Sequence, residues 1–291
     1  MPSIGWLAVF FLAPLAIVFA YSFGVNVSYT DVALWETWSN YERILRPSIG
    51  VLMSRSLWLS LLTTLVCLAI GFPVALVIAT APARWKPWLL LIVILPFWTN
   101  LLIRTYALLS ILAARGSLNN AIGWVHARLD WLFTSVGLPD LLDDRYRPIR
   151  FLGEESGVLI GLVYVALPFT VLPIYAALER LDRSLLEASM DLGAGQLRTF
   201  FMVLVPLTTA GVVTAAIITF IPTLGSFITP DLLGRGQVDM ISNVIERQFK
   251  KANDWPFGSA LSLILLYATF VVLALQAWAS ARSRRAREAR G

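Results

Sequence analysis

The chain has 291 residues, of which 58% are hydrophobic and only 14% charged, with a mean hydropathy of +0.74. Soluble domains carry about a quarter charged residues, so a soluble enzyme or binding module is excluded and an integral membrane protein is expected. The net charge of +5 does not point to nucleic acid, because five arginines (Arg282, Arg284, Arg285, Arg287 and Arg290) crowd the last ten residues, where they suit the inner-surface end of a span. Cys67 is the only cysteine and His126 the only histidine, which leaves neither a disulfide framework nor a cysteine-rich metal site, and gives His126 no metal-binding neighbour.

Taken in order, Gly5 to Phe23 is an apolar run long enough to cross a hydrocarbon core of about 30 Å. It lacks the positive flank and short apolar core of a signal peptide. Residues 26–54 read as an external loop with interfacial Trp35 and Trp38. Leu57 to Thr80 is the second span, bent at Gly71 and Pro73, and 81–87 is a tight inner turn carrying Arg84 and Lys86. Trp88 to Ala113 is the third span, interrupted by Pro96. Its Arg104 is the one charge well within an apolar segment, a functional candidate that also lies late enough to snorkel outward.

Residues 114–155 mix charges with Trp124 and Trp131 and predict a small external subdomain with a helix near Leu118–Leu129. Gly157 to Leu178 is the fourth span, kinked by Pro168 and Pro173, and 179–200 is the loop discussed below. The fifth span runs from Phe201 to Ile221, bracketed by Pro206 and Pro222. Residues 222–256 begin with a breaker-rich apolar stretch, 222–234, of the kind a bilayer tolerates only where protein or a wet cavity satisfies the backbone. A polar helical segment follows, and Phe257 to Ser280 is the sixth span. The fold class is all-α: a polytopic integral membrane protein with six transmembrane helices in one membrane domain over 1–291. Arg84 and Lys86, then Arg180, Arg183 and Arg198, then the tail arginines all fall on one side, which puts both termini in the cytoplasm.

Ser184 to Pro206 is the stretch that residence in a bilayer does not explain. Ser184 and Glu187 have the spacing of a capping box, and Gly193 and Gly195 supply a stop. Arg183, Glu187 and Asp191 share one face of the intervening helix, while Leu185, Ser189 and Leu192 line another. Periodicity alone fits an ordinary amphipathic connector, and it fits equally a helix lying flat on the membrane surface that offers a charged edge to something soluble.

Glu187-Ala188-Ser189, three residues, Gly193, nine residues, then Val203-Leu204-Val205-Pro206 is similar to the EAA loop of the membrane subunits of bacterial ABC importers. Ser189, Val203 and Val205 depart mildly from the family pattern. The resemblance implies the type I importer permease fold and a coupling helix that docks in a groove of a separate ATPase. It implies that Ser184, Leu185, Leu186, Glu187, Ala188, Asp191 and Gly193 form the coupling element. Glu187 would face a cationic site on the ATPase, with Leu185, Leu186 and Leu192 anchoring the helix to its own chain.

No phosphate-binding G-x-x-x-x-G-K-[ST] occurs, and the only lysines are Lys86, Lys250 and Lys251. Neither G-x-S-x-G nor H-E-x-x-H is present, and no span carries a carboxylate for proton relay. The chain is therefore not expected to be an enzyme and has no catalytic residues to offer. It binds no cofactor of its own; ATP and Mg belong on the partner ATPase.

The resemblance extends further, through Leu95 to Tyr106, Gly161-Leu162-Val163-Tyr164, Leu181-Asp182 and Asp254-Trp255-Pro256-Phe257-Gly258, to the spermidine/putrescine permeases of that family. Permeases for iron, thiamine, phosphonates and opines share much of the framework. The resemblance implies ATPase subunits, a second permease subunit (a paralogue in preference to a second copy), an extracytoplasmic solute-binding protein and the lipid of the inner membrane as partners. For a polyamine the path needs carboxylates or aromatic faces, and Asp231, Phe227, Trp98 and Tyr106, with Arg104, are the candidates; Asp231 serves equally well as a helix cap after Pro230. The rivals are a secondary carrier with an amphipathic loop and a membrane scaffold.

Overall fold

In a bilayer no water reaches the backbone, so long apolar runs must close their hydrogen bonds internally as helices, and this chain is helical almost throughout. The computed structural model describes residues 5–6, 8–28, 31–135, 146–182 and 184–288, the backbone alone at 134 and 275–288. Arg183, Arg290, the side chains of the other tail arginines and residues 136–145 of the expected external subdomain lie outside that description.

The first apolar run is a π turn, Ala8–Leu12, leading into α1, Ala13–Ser22. A two-stranded antiparallel ribbon, β1 (Val25–Asn26) with β2 (Val32–Ala33), and a short α2 (Ser39–Ile44) occupy the first external loop. The next helix, α3, runs from Pro47 to Thr80 and begins ten residues before the expected span. Proline at the first helical position favours that early start, and 34 residues reach about 51 Å, well beyond the hydrocarbon thickness.

The third span is broken. The α4 helix (Lys86–Ile94) and a 3-10 turn (Leu95–Trp98) are followed by α5 (Leu101–Ile111), bent 96° away. Thr99 is extended, and Asn100 caps α5 by accepting the Leu102 N–H at 2.8 Å. Then come α6 (Ser117–Ser135) and α7 (Glu155–Glu179), the latter carrying Pro168 and Pro173 inside an otherwise continuous helix. After α8 (Ser184–Asp191) the fifth span is broken too. A first limb, Gln196–Leu207, holds α9 (Gln196–Thr199), a π stretch (Phe200–Leu204) and α10 (Val205–Leu207). It meets α11 (Thr209–Leu224) at 67°. At this break the Thr208 hydroxyl donates to the Leu204 carbonyl at 2.9 Å and the Thr209 hydroxyl to the Pro206 carbonyl at 2.8 Å.

The breaker-rich stretch resolves as the end of α11, which contains Pro222, and a short α12 (Ile228–Gly234). Two more helices complete the chain, α13 (Ile241–Lys250) and α14 (Trp255–Glu288). Of the described helices, α3, α7 and α14 are each long and apolar enough to cross a membrane, the two bent pairs pass the same test together, and Ala8–Ser22 is a shorter apolar helix.

Contacts group the chain into two compact units, 1–57 with 239–291, and 58–238. In the first, α1, α2 and α13 pack on α14 around Ile44, Ile49, Ile241, Phe257 and Leu261. Asn40 donates to the Ser22 and Gly24 carbonyls, and Arg43 pairs with Asp254 at 2.8 Å while lying over the Phe257 ring. In the second unit α7 is the centre, with α4, α11 and α12 packed on it. Its approach to α11 is close enough that a Cβ on Gly211 would lie 2.4 Å from the Ala177 Cβ. Thr170 and Thr219 share a buried hydroxyl–hydroxyl hydrogen bond of 2.7 Å across the same interface.

Candidate functional site

The sequence SLLEASMD is made of good helix formers, and α8 is the short surface helix that the pattern predicts. Its cap differs. The Asp182 carboxylate, a charged acceptor, takes the Ser184 N–H at 3.0 Å, so Asp182 holds the role that the spacing gave to Ser184. Hydrogen bonds from the Ser184 backbone and side chain hold the Asp182 carboxyl below its usual range. The stop is as expected and its geometry is a Schellman motif: Gly193 has φ +84°, its N–H reaches the Met190 carbonyl, and the Ala194 N–H reaches the Ser189 carbonyl.

The anchoring differs as well. Leu186 packs against the cluster formed by Ile78, Ile174, Leu178, Leu204 and Ala215, and the Ser189 hydroxyl meets that of Thr199 at 3.0 Å. Leu192 is 90% exposed and Leu185 48% exposed, so neither anchors the helix to its own chain. The reason is helical phase: Leu186 and Ser189, three residues apart, are turned toward the chain, and Leu192 comes only after the helix has ended. Ser184, Glu187, Ala188, Asp191 and Gly193 are all exposed. The free edge of α8 is thus acidic and apolar together, Glu187 and Asp191 beside Leu185, Met190 and Leu192.

A cleft of about 590 Å³ opens beside α8, lined by Pro173, Ala177, Arg180, Asp182, Leu185 and Gly211 among others, so one flank of the helix has no packing beneath it. Nearby, Lys86, where the 81–87 turn passes into α4, grips both carboxylate oxygens of Glu179, the last residue of α7. Sequence reasoning did not connect these two, since nothing in the pattern pairs residues 93 apart.

The path candidates lie on neighbouring elements without converging on one point. Trp98 ends the 3-10 turn and is 78% exposed; Tyr106 is exposed on α5. Arg104, also on α5, is half-buried with its guanidinium 5.1 Å from the Phe97 ring centroid, and Phe97 in turn meets Phe169 of α7 edge-on at 4.6 Å. Phe227 is half-buried just before α12, and Asp231 is exposed in the first turn of α12, which packs on both α5 and α7. No ion pair joins Arg104 to Asp231 among the described residues. Phe97 and Phe169 are the additions from structure; Pro96 signalled a break there but not what the break brings together. Among the described residues no group of His, Cys, Asp and Glu is placed to hold a metal ion.

Long apolar helices, two bent pairs that pass as single spans, and an exposed short helix leading into the second of these pairs describe a multi-pass membrane protein. Residues 6–285 match the family described as binding-protein-dependent transport system inner membrane component, and the chain belongs to that family. It is 38% identical over 279 residues to the spermidine/putrescine transport system permease protein PotB of Escherichia coli (strain K12), covering 96% of this chain and 95% of that one. It is likewise 38% identical over 258 residues to the PotB of Haemophilus influenzae, covering 89% and 84%. Its fold matches a chain in the crystal structure of a bacterial ABC transporter involved in the import of the acidic polysaccharide alginate, with a TM-score of 0.70 at 18% identity over 98% and 93% of the two chains. The chain is therefore a permease subunit of the inner membrane, with the type I importer fold, and is not an enzyme.

Proposed function

We propose that this chain is one of two paralogous membrane subunits of a polyamine importer of the spermidine/putrescine class, driven through α8 by a separate ATPase that carries ATP and Mg. An extracytoplasmic binding protein delivers solute to the outer loops, and both termini are cytoplasmic. The observation that carries coupling is the split character of α8. Leu186 and Ser189 hold it to its own chain, while Leu185, Glu187, Asp191 and Leu192 remain unengaged and available to a partner. An exposed leucine flanked by carboxylates suits an apolar pocket rimmed with basic residues. ATP and loaded binding protein need only favour the same state of the complex for transport to proceed.

Polyamine as solute is supported by the 38% identity, over nearly the full length, to permeases that bear that name. Arg104 favours a second reading, an anionic solute, because a half-buried cation on α5 opposes a cationic one. Uptake of radiolabelled spermidine by cells expressing the complete importer, with competition by unlabelled putrescine or by a phosphonate, separates the two. Coupling is tested by E187A, measuring ATPase co-purification and uptake; normal values of both overturn it.

A further inference from the structure

The helix α6, Ser117–Ser135, is amphipathic in the opposite sense to a helix on a soluble subdomain. Its protein-facing side carries polar groups alongside half-buried Ile122 and Phe133. Asn119 is buried, donates to the Ala113 and Ile149 carbonyls, and accepts from the Ile149 N–H and the Tyr146 hydroxyl. One turn on, Tyr146 lies across Gly123, where a Cβ would stand 3.0 Å from its ring, and His126 meets the same ring at 5.8 Å. The outward side is apolar: Trp124 and Trp131 are 62% and 65% exposed, with Val125, Leu129 and Leu132 exposed beside them. Arg128, between the two indoles, rests its guanidinium 5.2 Å from the Trp124 ring.

We infer that α6 lies in the membrane interface, its outward face seated at the boundary between headgroups and acyl chains. Three observations favour lipid over a protein partner. The face is a stripe of exposed side chains running along one helix, Trp124, Val125, Leu129, Trp131 and Leu132. Its composition, two tryptophans about 10 Å apart along the axis with an arginine between them, is what the interface selects: indoles at headgroup depth and a cation reaching phosphate. Its position is fixed, because α6 starts only six residues after α5 ends, through a turn so tight that a Cβ on Gly116 would lie 2.3 Å from the Ile111 carbonyl oxygen. The helix thus leaves the broken span at the membrane surface. Assignment to the outer leaflet rests on the orientation proposed above; contact with lipid does not.

The test uses the lone native cysteine. In a Cys67→Ala background, Val125→Cys and Leu132→Cys are spin-labelled, and the full chain with its partner subunits is placed in nanodiscs of phosphatidylethanolamine and phosphatidylglycerol. Both leaflets are accessible there, so the outcome does not depend on orientation. Oxygen is expected to relax both labels more than a water-soluble nickel chelate does. Labels favouring the chelate overturn the inference, and so do labels immobilised and shielded from both reagents, which indicate a protein partner. Independently of the cysteine variants, phosphatidylcholine brominated near the top of its acyl chains is expected to quench part of the tryptophan emission, and W124F/W131F to lose part of that quenching. Quenching unchanged by the double substitution overturns the inference.

Discussion

Lys86 Nζ lies 2.8 and 2.9 Å from the two carboxylate oxygens of Glu179, fastening the turn at 81–87 to the end of α7 next to α8. Pairs this accessible contribute about 0.2–1 kcal/mol. K86M and E179Q are each expected to lower the melting temperature slightly, and a double-mutant cycle to return a coupling energy of about 0.5 kcal/mol. Additive effects of the two substitutions would show that the contact contributes nothing.

Gly193 needs its glycine for backbone conformation and not for space, since φ is +84° and a Cβ there meets nothing within 4 Å. Alanine in the left-handed region costs about 1–2 kcal/mol, whereas asparagine tolerates it. G193A is expected to weaken ATPase co-purification, and G193N to restore most of it. Equal loss in both would mean that the left-handed geometry is not what matters.

Leu186 and Leu192 are expected to respond oppositely. L186A opens a half-packed site in the cluster below α8 and lowers stability, toward the lower end of the roughly 2–5 kcal/mol seen for buried leucines. L192D leaves the melting temperature unchanged, because Leu192 is 90% exposed, and reduces capture of the ATPase. A melting loss in L192D comparable to that of L186A would return Leu192 to an anchoring role.

Gly211 sits where α11 meets α7, with the Ala177 Cβ 2.4 Å and the Pro173 carbonyl oxygen 3.0 Å from where its own Cβ would be. Neither neighbour is the end of a flexible side chain, so relief requires the helices to separate. G211V is expected to lower stability by about 1–3 kcal/mol, read as a drop in melting temperature in detergent. An unchanged transition would mean that the helices part freely.

Asp231 is exposed on α12 and makes no ion pair among the described residues. If it contacts a cationic solute, D231A is expected to cut uptake by about tenfold to a hundredfold, in keeping with the roughly 1.5–3 kcal/mol of a hydrogen bond to a charged group, with assembly unchanged. Wild-type uptake removes it from the path.

The apolar runs were legible because a bilayer imposes one solution on them, and the α8 stop was legible because Gly193 carries its conformation in its identity. Other features were not. Pro96 announces a break, whereas Pro206 reads only as a bracket of the fifth span, and in neither case does a proline encode the angle, 96° at the first break and 67° at the second. Asp182 outcompeted Ser184 as the cap because a full charge two residues ahead is the better acceptor. Periodicity groups Leu185, Ser189 and Leu192 on one face of α8, and the family resemblance makes the leucines anchors, but neither says which side meets the chain. The helix expected near Leu118–Leu129 is there as α6, but the same gap leaves its orientation open, and the side carrying Asn119 is the one bonded to the 146–149 segment.

The break at Thr208 carries its own solvation. A helix bent in hydrocarbon ordinarily needs a neighbour, a water or a lumen to quiet the carbonyls that the bend exposes. Here hydroxyls from Thr208 and Thr209, within the same turn, reach the carbonyls of Leu204 and Pro206. The Leu204 carbonyl accepts the Thr208 N–H as well as its hydroxyl, so the joint holds two of its carbonyls with side chains of its own turn and asks less of its surroundings at those two points.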